Sequence, residues 1–113
     1  MKEFIMLFRA DYSKMPKASP EEMQAMTKRW MDWIGGIAAQ NKLADKGRRL
    51  TSDGRVVRVN KSVTDGPYTE IKESVGGLSV LKVNSYEEAV EIANGCPILS
   101  IGGNVEIREV SVL

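Results

Sequence analysis

An unbroken apolar run, Phe4-Ile5-Met6-Leu7-Phe8, carries no helix-start signal and reads as a strand buried in the middle of a sheet. A polar loop follows from Asp11 to Lys17, and Ser19-Pro20-Glu21-Glu22 then marks a helix start. Ser19 is the N-cap, Pro20 takes the first helical position and Glu22 completes a capping box. Met23, Met26, Trp30, Trp33, Ile34 and Ile37 recur at helical spacing, which predicts one apolar stripe laid on a sheet. Gly35-Gly36 weakens the last turns of that helix and leaves room for close packing or for a bound molecule.

Arg48-Arg49-Leu50-Thr51 and Arg55-Val56-Val57-Arg58-Val59 read as two strands joined across Ser52-Asp53-Gly54, since Asp-Gly between strand-like runs signals a hairpin. Leu78 to Val83 is a further strand. Ser85-Tyr86-Glu87-Glu88 repeats the capping pattern, and a second helix runs to Gly95-Cys96-Pro97. Val105 to Val110 alternates apolar and charged residues, as a half-exposed strand does. The order β-α-β-β-β-α-β predicts a single α+β domain of split-βαβ, ferredoxin-like plan, with an enlarged central hairpin and two helices on one face of an antiparallel sheet. The opposite face is bare, yet the first strand is apolar on both sides. Two such sheets packed face to face would cover it, so we expect a homodimer with a barrel-like core.

Length and composition narrow the picture further. At 113 residues, with 42% hydrophobic and 27% charged, the chain suits one globular core. A net charge of +1 gives no reason to expect nucleic acid or an anionic membrane as partner, although Lys46, Arg48, Arg49, Arg55 and Arg58 form a local basic cluster. The residues from Met1 to Arg9 predict neither a signal peptide nor a membrane span. A single cysteine, Cys96, forms no intramolecular disulfide and suits a cytoplasmic location. With no histidine, the chain has no His-based triad, proton shuttle or metal site, and we expect neither metal nor cofactor.

The densest polar segment is residues 64–78, where Gly66-Pro67 bends the backbone and Gly76-Gly77 clears side chains at a strand entrance. Asp65 is a general base there, or the acceptor of an Asx-type turn. Glu70 and Lys72 share one side of an extended segment, either as an acid–base pair or as charges protecting a strand edge. Arg108 and Glu106 share one face of the last strand. Their ordinary meaning is a cross-strand ion pair, whereas an Arg108 facing a cleft would anchor an anion. Trp30 and Trp33 belong to the core by default, and either one can wall a ligand.

Asp65-Gly66-Pro67-Tyr68, followed by Glu70, Lys72-Glu73 and Gly76-Gly77, resembles the signature of YCII-related proteins of the DGPF type. Tyr68 stands where that family usually has phenylalanine. The similarity continues through Ser85 to Ala93, Cys96-Pro97 and residues 103–108, and covers almost the whole chain. The resemblance implies a dimeric α+β barrel with a cleft in each subunit between the sheet and neighbouring loops. Many members are encoded beside sigma factors of the extracytoplasmic-function class, which implies an accessory, small-molecule-binding role linked to their regulation. Distant relatives include muconolactone isomerase-like enzymes, which implies the alternative of a cofactor-independent isomerase or lyase. In that case Asp65, Glu70 and Lys72 would be catalytic, with Tyr68, Trp33 and Arg108 binding the ligand. The His-Asp pair of some members has no counterpart here.

Overall fold

Each helix begins where its capping residues place it. In the computed structural model, which describes residues 1–11, 18–66 and 74–112, α1 spans Pro20–Ala39. The Glu22 amide donates to Ser19 Oγ at 3.1 Å, and Glu21 and Glu22 place negative charge at the helix's positive end. Helix α2, Tyr86–Ala93, repeats the device with Ser85 Oγ accepting from the Glu88 amide at 3.2 Å. The Glu88 carboxylate accepts from the Asn84 amide and pairs with Lys42 at 3.2 Å, and these two contacts hold it below the usual carboxylate range.

The strands are β1 (Lys2–Arg9), β2 (Leu43–Arg49), β3 (Arg55–Val57), β4 (Val63–Asp65), β5 (Val75–Val83) and β6 (Asn104–Glu109). Four of them form an antiparallel sheet in the order β2-β5-β1-β6. Strand β5 lies between the ends of the β1-α1-β2 crossover, and β1 lies between the ends of β5-α2-β6. Two interlocked split βαβ units of this kind define the ferredoxin-like plan, an α+β fold with both helices on one face.

The core lies between the sheet and the helices. Phe4, Met6 and Phe8 of β1 alternate inward beside Leu81 and Val83 of β5, and all are nearly or fully buried. Ala89 and Ala93, four residues apart, let α2 sit close to the sheet, while Ile37 of α1 and Ile98 of a 3-10 turn (Pro97–Ile101) close the ends. Phe8, Trp30 and Trp33 meet edge to face with ring centroids 5.0–6.0 Å apart. The Trp33 indole N–H donates at 3.1 Å to the Ile92 carbonyl, which also accepts from the Gly95 amide, so the indole ties α1 to the end of α2. The predicted stripe of α1 faces the core from Trp30 onward, whereas Met23 is 60% exposed. A Cβ on Gly35 or Gly36 would meet nothing within 4 Å among the described residues, so none of these packs closely on the pair.

The central hairpin differs from its sequence reading. The run Arg48 to Thr51 does not pair with Arg55 to Val59. Instead β2 starts earlier, at Leu43, and pairs with β5, while β3 pairs with β4 in a separate two-stranded sheet. The turn falls at Arg58–Lys61: the Lys61 amide donates to the Arg58 carbonyl, and the Arg58 amide to the Ser62 carbonyl. Lys61 adopts φ 60°, the left-handed position that three-residue hairpin loops normally give to glycine. At Asp53-Gly54 the Asp53 carboxylate accepts from the Gly54 amide and from Arg55, so this dipeptide shapes a connection between sheets.

Candidate functional site

The face of the sheet away from the helices carries the side chains that alternation turns out of the core. Ile5 lies opposite Val80 and Leu7 opposite Leu78, and all four are only half-buried although they occupy the two central strands. Charged residues flank this apolar square on both sides. On β6, Arg108 stands opposite Ile5 and Glu106 opposite Leu7; on β2, Asp45 stands opposite Val80 and Arg48 opposite Leu78.

Glu106 organises the β6 side. Its Oε1 accepts from Arg9 Nη2 at 2.9 Å and from Arg9 Nε at 3.2 Å, and Arg108 Nη1 approaches its Oε2 at 3.6 Å. Arg9 reaches across diagonally because Leu7, two residues before it, is the register partner of Glu106. Two guanidinium groups therefore share one carboxylate. Arg108 remains 69% exposed, with a single long contact among the described residues, so most of its donors are turned away from them. An apolar floor beside a guanidinium with free donors suits a flat, anionic organic molecule.

The other residues singled out from the sequence are spread over the molecule. Asp65 ends β4, in the two-stranded sheet, with its side chain 93% exposed and 3.3 Å from Arg55 Nε. Trp33 packs among the helices, on the opposite side of the main sheet from Arg108. Tyr68, Glu70 and Lys72 lie outside the described residues. The sequence reading missed Arg9, whose signal was its even spacing from Ile5 and Leu7 on an alternating strand. The outward side of α1, lined by Met23, Thr27 and Met31, forms a shallow groove whose charged groups are Lys28 and Asp32, already paired with each other at 2.6 Å.

Cys96 is buried against the core, and burial pushes its thiol up from an ordinary value near 9 to about 11. A group that holds its proton more tightly when folded contributes stability that is intact below pH 9 and is lost as the pH rises towards 11. We therefore expect iodoacetamide to spare Cys96 in the native protein at pH 8 and to alkylate it fully in urea. Rapid native labelling at pH 8 would contradict this assignment.

An antiparallel β2-β5-β1-β6 sheet with two helices on one face and a charge-flanked opposite face that no described element covers defines the class: a ferredoxin-like α+β protein. The chain belongs to the YCII-related domain family, whose model matches residues 5–113. No curated protein matches it. Among solved structures it is similar to 5-chloro-2-hydroxyhydroquinone dehydrochlorinase (TftG) from Burkholderia phenoliruptrix AC1100, in complex with 2,5-dihydroxybenzoquinone. Identity is 13%, over 96% of this chain and 93% of that one, with a TM-score of 0.45. No helix among the described residues is long and apolar enough to cross a membrane.

Proposed function

We propose that this protein is a homodimeric, cytoplasmic binding module of the DGPF type, which takes a small anionic organic molecule at the open sheet face. The observation that carries the reading is the half-buried square of Ile5, Leu7, Leu78 and Val80, bordered by the Arg9–Glu106–Arg108 cluster. A second sheet laid over the square would remove its apolar area from water at about 25 cal/mol per Å². The same contact would turn Arg108 from a surface side chain into the wall of a cleft. Binding fits the described residues better than proton abstraction. Glu106 is ion-paired with Arg9 and Arg108, and Asp65 is exposed and ion-paired with Arg55 on the separate hairpin, so neither carboxylate is held free beside the apolar square. Such a module is suited to sensing a metabolite for a regulatory partner such as a sigma factor.

Benzoate and its neutral isostere benzamide are the probes. Titration by heteronuclear NMR should show benzoate, and not benzamide, shifting the amides of β1 and β6. Arg108→Gln should weaken benzoate binding about tenfold or more, the loss expected for a charge-assisted hydrogen bond. Equal binding of both probes, or indifference to Arg108→Gln, would refute the site.

A further inference from the structure

We propose that the β3–β4 hairpin is an arm that docks on the acidic α2–β6 edge of a second copy of this chain. The inference rests on the homodimer proposed above and adds which edge of one copy meets which edge of the other.

The hairpin shares no ladder with the main sheet, and Val57, Val59 and Val63 are 69%, 99% and 57% exposed. The radius of gyration, 15.6 Å, exceeds the roughly 13 Å of a compact chain this long. A two-stranded hairpin is marginal in water by itself, and exposed valines on its strands call for a cover.

Charge identifies that cover. From Leu43 to Asp65 the chain carries six cations against three acids; from Asn84 to Glu109 it carries five acids against Arg108, and with Glu88 paired to Lys42 and Glu106 to Arg9 the acidic surplus is Glu87, Glu91 and Glu109. Because β2 and β6 are the two edges of the sheet, one edge is basic and the other acidic. Face-to-face pairing about a two-fold axis parallel to the strands sets β2 of each copy over β6 of the other, so both complementary contacts form at once.

The tips match in detail. Arg55 is already held by Asp53 and Asp65, whereas Arg58 and Lys61, on either side of Val59, form no ion pair among the described residues. On α2, Glu87 and Glu91 are likewise without an ion pair among the described residues. Tyr86 and Val90 beside them are 44% and 48% exposed, an apolar seat with both carboxylates along one side. An arm of valines bracketed by cations fits it. The acidic counterpart on the same chain favours a second copy over nucleic acid as the target of the basic cluster.

The test is a charge swap followed by sedimentation equilibrium on the full chain. Arg58→Glu/Lys61→Asp and Glu87→Lys/Glu91→Lys should each weaken self-association about tenfold or more, because each sets like charges against each other. Mixing the two variants should restore a dimer containing one chain of each, in which both arm contacts are again attractive. That rescue also shows that both variants are folded. If the wild-type chain is dimeric while the variants associate unchanged and mix without preference, the arm contact is wrong and the sheet-face pairing stands. A monomeric wild-type chain overturns both. Binding of a single-stranded RNA that is lost in the arm variant, with self-association unchanged, would also overturn the proposal.

Discussion

Gly47→Ala is expected to abolish cooperative folding or to lower stability by about 3 kcal/mol or more, a large share of the 5–15 kcal/mol a domain possesses. Gly47 sits in β2 where the register with β5 slips between Asp45 and Arg48, and it adopts φ 83°. The bulge is tied down from both sides. The Asp45 carboxylate accepts from the Gly47 amide at 2.7 Å, and the buried Ser79 hydroxyl donates to the Lys46 carbonyl at 2.7 Å. A Cβ at Gly47 would coincide with the Leu78 carbonyl oxygen of the neighbouring strand. Backbone cannot yield there without opening the β2–β5 ladder. Gly102 supplies the control, because it has the same φ of 83° but open space around its missing side chain. Gly102→Ala should cost only the left-handed penalty, about 1–2 kcal/mol. Urea unfolding followed by circular dichroism measures both; equal losses at the two positions would show that the bulge tolerates a side chain.

The second large effect is expected at Phe4, where substitution by alanine should cost about 3–5 kcal/mol. Phe4 is wholly buried in the central strand, opposite Leu81 on one side and Glu109 on the other, and its ring meets Tyr86 edge to face at 4.7 Å. The Tyr86 hydroxyl in turn accepts from the Glu109 amide at 2.9 Å, so Phe4 supports the ring that pins α2 to β6. Ile5, the next residue, faces the open side and is only half-buried. Its replacement by alanine should be much milder at low protein concentration and grow with concentration if the open face is covered by a second copy. Equal, concentration-independent losses at Phe4 and Ile5 would mean that β1 does not alternate as described.

What the sequence revealed follows from how each element is specified. Both helices were legible because their ends are written in side chains: Ser19 and Ser85 bond the amides three residues on. Strands β1, β5 and β6 were legible because central position or alternation leaves an apolar record. Strand β2 was not, since it is an edge strand whose one buried residue is a glycine and whose bulge breaks the two-residue period. The hairpin turn was hidden because a lysine occupies the left-handed position, while Asp53-Gly54 offered turn chemistry without a turn between paired strands. For the site, alternation along β6 placed Arg108 and Glu106 together, and they are together. Arg9 went unnoticed because it looked like the polar end of an apolar run. Asp65 drew attention through its neighbours in the chain, whereas its surroundings in space are those of an exposed ion pair.

The position of β1 has a consequence for synthesis. Both of its ladder partners, β5 and β6, come from the last third of the chain. At about 5–20 residues per second, the strand with the longest unbroken apolar run waits several seconds or more on the ribosome before Val75 to Val83 arrives to pair with it. Until then Phe4 to Phe8 is an unpaired, uncharged β segment, the part of the nascent chain with most reason to engage a chaperone.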